Sequence, residues 1–190
     1  MWLWMLAGCW NIGQDLTTET TTAESLALEA ARQLASTSAE QLQTQMVQEL
    51  GNPGPPNAIL EGSSESEALN PHSGLPSPGN GRIGHSSLRP RDPANRAPDW
   101  VQPWLDAHRD AEFSDVQGTE QIVEGPGGSV ARVLLPIPML DTCVRCHGSE
   151  AQIPADVRTR LEARYPDDQA TGFAVGDLMG ALWVELPVEG

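Results

Sequence analysis

The hydrophobic positions in the first third of the chain recur with a helical period. Thr21 followed by Glu24 forms a capping box, which predicts a helix start. The apolar residues that follow recur at spacings of three, four or eight and form one stripe: Ala27, Ala31, Leu34, Leu42, Met46 and Leu50. The Gly-Asn-Pro sequence at residues 51–53 predicts the end of this helix.

The pattern weakens in the middle of the chain. Asn57 is a candidate cap for a second, shorter helix that reaches Leu69. Residues 70–99 are rich in Pro and Gly and predict a long loop. Asp99 is then predicted to cap a helix whose face carries Trp100, Trp104, Leu105, His108 and Ala111.

The last third of the chain alternates in the manner of strands. Residues 121–124 and 130–135 predict a hairpin, because Gly-Pro-Gly-Gly separates them. The second strand is expected to end at Pro136 and Pro138, or to lie at a sheet edge there. Pro154 predicts the start of a charged helix, and further strands are predicted at the end of the chain, over residues 172–175 and 181–186. Helices followed by a small antiparallel sheet indicate an α+β domain.

Composition and charge narrow the functional classes. The chain has 190 residues, which suits one domain and some unstructured sequence. Its net charge of -15 argues against a nucleic-acid partner, because a polyphosphate would be repelled. The same charge argues against binding to an anionic membrane through a basic face. No apolar run is long enough to span a bilayer.

The segment Cys143-Val144-Arg145-Cys146-His147 carries the clearest chemical signal. Two thiols one helical turn apart match the spacing of the two vinyl groups of a porphyrin, and the following imidazole can bind the iron. The sequence therefore predicts one covalently attached haem c. Two other interpretations stay open: a structural zinc site, for which no second Cys/His cluster exists, and a redox dithiol formed by the two cysteines.

The third cysteine, Cys9, suggests where the protein is located. Leu-Ala-Gly-Cys after an apolar run is similar to a bacterial lipobox, in which the cysteine becomes lipidated after signal cleavage. The apolar run is short for a signal peptide and lacks a preceding basic residue, so either the true translation start lies upstream or the lipobox match is accidental. We interpret residues 1–20 as a signal remnant and polar tether, and residues 21–190 as a single haem-binding domain. Both signals indicate a periplasmic or other extracytoplasmic protein that touches the membrane only through a lipid anchor.

The chain also resembles a known family, the haem-c-binding domain of a cyanobacterial thylakoid cytochrome and of bacterial extracytoplasmic sensor proteins. The match extends from about residue 21 to the end and is strongest over residues 143–148, 165–173 and 176–181. Residues 87–95, Ser-Leu-Arg-Pro-Arg-Asp-Pro-Ala-Asn, form a second match. The resemblance implies a PAS-like α+β fold, with long N-terminal helices beside an antiparallel sheet and the haem-attachment segment between strands.

One position departs from the family pattern. Members often carry a cysteine on the second helix that looks like the distal haem ligand, and Gly62 stands there in this chain. His85 is the best replacement ligand by sequence, and five weaker candidates are His72, His108, Met46, Met139 and Met179. The alternative is an open or water-bound position. Two strong ligands favour electron transfer, whereas an open site permits a diatomic gas or peroxide to bind.

Arg91 lies in the second family match and is a candidate partner for a haem propionate, or equally for one of the many carboxylates of this acidic chain.

The chain is thus predicted to be a monohaem protein for electron transfer or for redox or gas sensing, with an electron-transfer or signalling protein as its partner. A small haem enzyme for peroxide or nitrogen-oxide chemistry is the alternative, with His85 or Arg91 as distal group. No catalytic residue is assigned.

Overall fold

The structure, a computed structural model, describes residues 13–51 and 81–189. It contains one long helix, a four-stranded antiparallel sheet and three shorter helices, in agreement with the predicted α+β class. The elements in chain order are α1 (Gly13–Gly51), β1 (Arg82–Ser86), α2 (Gln102–Ala107), β2 (Thr119–Gly125), β3 (Gly128–Pro138), α3 (Val144–His147), α4 (Ala155–Arg164) and β4 (Leu178–Pro187). Short 3-10 turns cover Pro93–Asn95, Phe113–Asp115 and Asp141–Cys143. Among the described residues, no helix is long and apolar enough to cross a membrane.

Helix α1 ends at Gly51 as predicted, but it begins at Gly13 rather than at Thr21. A capping box is a weak start signal, because each residue added to an existing helix gains one backbone hydrogen bond. The predicted apolar stripe is confirmed where side chains are described. Ala31 is fully buried, and Ala27, Leu34 and Leu42 pack against the same cluster.

The strand order is β1-β4-β3-β2, and every neighbouring pair is antiparallel. Side chains of β4 alternate between the two faces of the sheet. On the α1 side they join a buried cluster of Ala31, Ala35, Ile83, Ala131, Val133, Leu182, Val184 and Leu186. On the opposite side, Ala181 and Trp183 pack with Val101, Leu105 and Leu134. The sheet is therefore covered on both faces.

The hairpin of β2 and β3 is confirmed, with Gly125 paired to Gly128 across the turn. Strand β3 does not end at its prolines, because it pairs with β4 as far as Pro138. Its pairing with β2 stops at Leu134, so the proline-containing end of β3 has a neighbour on one side only. Proline lacks the N–H that a second neighbour would require, which explains why Pro136 is tolerated there.

Three other predictions differ from the structure. Strand β1 lies inside the predicted loop 70–99. Its five residues carry too weak a strand pattern by themselves, and backbone pairing with the buried strand β4 stabilises the extended conformation. Residues 172–175 are not a strand, since Gly172 and Gly176 adopt positive φ values of 78° and 95° that interrupt an extended backbone. Helix α2 begins after Val101, with a proline in its first turn, and so is not capped by Asp99.

Helix α4 covers Ala155–Arg164, as Pro154 predicts. The predicted second helix at residues 57–69 lies outside the described residues, as do Gly62 and His72. Cys9 and residues 10–12 of the predicted tether also lie outside them, whereas residues 13–20 of the tether are helical and belong to α1. The division into residues 1–20 and 21–190 stays a prediction.

Candidate haem-binding site

Residues 143–147 lie between β3 and β4, where a 3-10 turn over Asp141–Cys143 runs directly into α3. Cys143 is buried and Cys146 is half-buried, and both are free thiols. Residues three apart on a helical turn lie on the same side of it. The two thiols can therefore react with one flat molecule.

The glycine after the histidine has a steric role. A Cβ atom on Gly148 would lie 2.7 Å from the carbonyl oxygen of Val144 and 2.7 Å from a methyl carbon of the same residue. Both distances are far inside van der Waals contact, so only glycine fits. The chain after His147 thus packs directly against the Val144 backbone at the start of α3.

The ring of His147 is held by a backbone carbonyl. Its Nδ1 lies 2.7 Å from the oxygen of Ala170. A carbonyl oxygen only accepts, so Nδ1 carries the proton and Nε2 keeps its lone pair. Burial, followed by the charge of Arg91, lowers the pKa of His147 to about 3. At neutral pH the imidazole is therefore neutral, which is the form that binds a metal.

The carbonyl that holds His147 belongs to a loop over residues 168–173, called here the clamp loop. The loop also bonds the end of α3 through its backbone: Phe173 N–H donates to the oxygen of His147 at 3.0 Å, and Gly172 N–H donates to Gly148 at 2.7 Å. Phe173 and Ala170 are buried in one cluster with Cys143 and Met139, against which Met179 packs. The motif is thus held by both hydrogen bonds and apolar contacts.

Arg91 reaches the same place from the segment that follows β1. Its Nε donates to Oδ2 of Asp168 at 2.9 Å, and its Nη2 donates to the carbonyl oxygen of Cys146 at 2.5 Å. A carboxylate of the chain is therefore its acidic partner in this structure, which was one of the two alternatives. The interaction with a haem propionate stays a prediction.

Arg89 was not singled out from the sequence, and it supports the clamp loop from the same segment. Its guanidinium carbon lies 3.4 Å from the centroid of the Phe173 ring, and its Nη1 donates to the oxygen of Thr171 at 3.1 Å. The signal that could have identified Arg89 and Asp168 was the family match at residues 87–95 and 165–173.

His85 lies on β1 and pairs with Leu182, so its side chain projects from the face of the sheet that α1 covers. Burial lowers the pKa of His85, which favours a neutral ring. Burial is the largest cause that lowers the pKa of His147, and the charges of Arg91, His85 and Arg89 add to it. His108 instead bonds the oxygen of Trp104 at 2.8 Å, on the α2 side of the sheet.

Cys143 and Cys146 could alternatively belong to a zinc site or form a redox dithiol. Within residues 13–51 and 81–189, no group of three or more His, Cys, Asp or Glu side chains could hold a metal ion. Burial raises the pKa of the Cys146 thiol, whereas redox-active dithiols contain a thiol whose pKa is lowered. The raised pKa of the Cys146 thiol is therefore unlike that of an activated dithiol.

Comparison with known proteins agrees with this arrangement. Residues 18–187 match the family model described as Tll0287-like. Among solved structures, the chain is similar to the crystal structure of the cyanobacterial haem-protein Tll0287, with a TM-score of 0.50 and 20% sequence identity. The similarity covers 80% of this chain and 91% of that one. At this identity the likeness establishes the fold. No curated protein matches the sequence.

Proposed function

This chain belongs to the Tll0287-like family, and from that premise we propose that it is an extracytoplasmic c-type haem protein. Cys143 and Cys146 attach one haem covalently, and His147 binds its iron. The bound group supplies an iron that exchanges one electron or takes up a small ligand. The protein's role is electron transfer or the sensing of redox state or gas.

The hydrogen bond from Nδ1 of His147 to Ala170 carries this proposal. Metal-bound histidines usually donate their second ring N–H to a carbonyl or carboxylate, which fixes the tautomer and the ring orientation. Here Nδ1 of His147 is the donor to the Ala170 carbonyl, and the ring follows directly after the two thiols. Few roles other than metal binding require this combination of a neutral, oriented imidazole and a Cys-x-x-Cys turn.

His85 is proposed as the second iron ligand, since Gly62 has no side chain that can coordinate. Support comes from the burial of His85, which lowers its pKa and favours the neutral imidazole that can bind a metal. Two imidazole ligands would leave no open position on the iron. This arrangement favours electron transfer over gas binding.

The compartment and partners extend the same proposal. Covalent haem attachment takes place outside the cytoplasm, and a lipid at Cys9 would hold the protein at a membrane surface. An electron-transfer or signalling protein is then the expected partner. Mass spectrometry of the mature protein after expression in a bacterial host would detect the lipid, and Cys9→Ser would abolish it.

Haem attachment is tested with the full chain fused to a functional export signal and expressed in a host that has a cytochrome c maturation system. A pyridine haemochrome spectrum should show one covalently attached haem, and Cys143→Ser with Cys146→Ser should remove it. A wild-type protein without covalent haem would refute the proposal.

The ligand assignment is tested separately: His85→Ala should lose the low-spin spectrum and bind carbon monoxide rapidly, whereas the control His108→Ala should keep the wild-type spectrum.

A further inference from the structure

A continuous series of hydrogen bonds joins Arg91 to the ring of His147. Nε of Arg91 donates to Oδ2 of Asp168 at 2.9 Å. The other carboxylate oxygen, Oδ1, accepts from the N–H of Ala170 at 2.7 Å. The carbonyl of Ala170 then accepts from Nδ1 of His147 at 2.7 Å. Asp168 therefore links the guanidinium to Ala170, the residue whose carbonyl orients the imidazole.

Arg91 also contacts the helical turn that carries the imidazole. Its Nη2 donates to the carbonyl of Cys146 at 2.5 Å and lies 3.4 Å from the carbonyl of Ala170. One guanidinium thus contacts both α3 and the clamp loop. A further bond, from the N–H of Gln169 to the oxygen of Pro90 at 3.3 Å, ties the loop to the segment that carries Arg91.

The ion pair of Arg91 and Asp168 is largely buried, so its hydrogen-bond geometry affects whether the pair is stable. The side chains of Arg91 and Asp168 are only 16% and 11% exposed. Burying both charges has a desolvation cost that is offset only when the remaining donors and acceptors are also satisfied. The planar fork of arginine satisfies several acceptors at fixed angles, and a lysine in its place would supply charge without that fork.

From this arrangement we infer that Arg91 and Asp168 are positioning residues for the iron ligand His147. They act through Ala170, by fixing the carbonyl that holds the ring in one rotation and one tautomer. A firmer Nδ1–H bond makes the imidazole a stronger donor to iron, which lowers the reduction potential. The inference rests on the proposed function for its consequence on iron, but the hydrogen bonds belong to the chain itself.

The test uses the reduced, diamagnetic haem-loaded full chain, in which NMR follows exchange of the His147 ring N–H with solvent. Asp168→Ala and Arg91→Lys are expected to speed this exchange by about tenfold, since each breaks charge-assisted hydrogen bonds that hold Ala170 in place. Both variants should also raise the midpoint potential. Arg91→Lys keeps the positive charge, so an effect of charge alone would leave it like the wild type. Asp168→Asn retains an oxygen for the Ala170 N–H and should lie between.

The matched control is Asp167→Asn, which removes the same charge from the neighbouring exposed side chain. It should leave ring exchange unchanged. If the His147 ring N–H exchanged at the wild-type rate in both Asp168→Ala and Arg91→Lys, the inference would be overturned, even with haem attached. If the wild type carries no covalent haem, the proposed function fails, and exchange of the same ring N–H in the haem-free full chain decides whether these residues position His147.

Discussion

Nδ1 of His147 bonds the carbonyl oxygen of Ala170 at 2.7 Å, across 23 residues of sequence. The imidazole at the end of α3 is therefore oriented by a loop that the chain forms only after passing through α4. This long-range bond fixes the tautomer of His147, with the proton on Nδ1 and the lone pair on Nε2.

Gly148 is expected to be irreplaceable. In Gly148→Ala the added methyl group would meet the Val144 backbone oxygen at 2.7 Å, so α3 or the clamp loop must move. Overpacking of this kind costs about 1–3 kcal/mol. Chemical denaturation should show that loss together with a lower yield of haem-loaded protein. The control Gly127→Ala adds a methyl where nothing lies within 4 Å, and equal losses in the two variants would contradict the steric explanation.

Ser86 is expected to stabilise the core through one buried hydrogen bond. The indole N–H of Trp183 donates to its hydroxyl oxygen at 3.1 Å, and both residues are buried. Ser86→Ala leaves the indole donor without that acceptor, at a cost of about 1–3 kcal/mol. The free energy of unfolding, followed by tryptophan fluorescence, measures the loss. Ser114→Ala, at an exposed position, should change the stability by less than about 0.5 kcal/mol.

Acid should destabilise the haem-free chain through His147. Its folded pKa, lowered by burial to about 3, lies below the ordinary value of 6.5, so the unfolded state binds the proton more readily. The stability that this difference provides is complete above about pH 6.5 and falls as the pH is lowered toward 3. Denaturation at a series of pH values should therefore show a smaller pH dependence in His147→Asn. An identical pH dependence in the two proteins would show that the ring is not held neutral.

Arg89 should contribute to the stability of the clamp loop. Its guanidinium lies over the Phe173 ring and donates to the Thr171 carbonyl. Partly buried cation–π contacts are worth about 1–2 kcal/mol, so Arg89→Ala should lower the free energy of unfolding by about that amount. Arg109→Ala removes an exposed ion pair with Asp106 and should have little effect. Equal free energies of unfolding for Arg89→Ala and Arg109→Ala would show that the contact between Arg89 and Phe173 does not stabilise the protein.

The parts of the fold that could be predicted are those with local signals. Helix α4 follows Pro154, and the β2–β3 hairpin follows its glycine-rich turn, because each depends on residues a few positions apart. Strand β1 could not be predicted, since its five residues become a strand only through pairing with β4. The start of α1 was placed too late because capping residues do not prevent a helix from extending.

The sequence by itself determined the chemistry of the site: two thiols and an imidazole within one helical turn, where spacing along the chain is also spacing in space. Only the tertiary structure decided which groups surround them. Arg91 could have paired with any of many carboxylates, and the fold brings it to Asp168. The orientation of His147 likewise depends on Ala170, a contact between distant segments that exists only after the clamp loop has docked on α3. Local spacing sets what can react, and long-range packing sets its geometry.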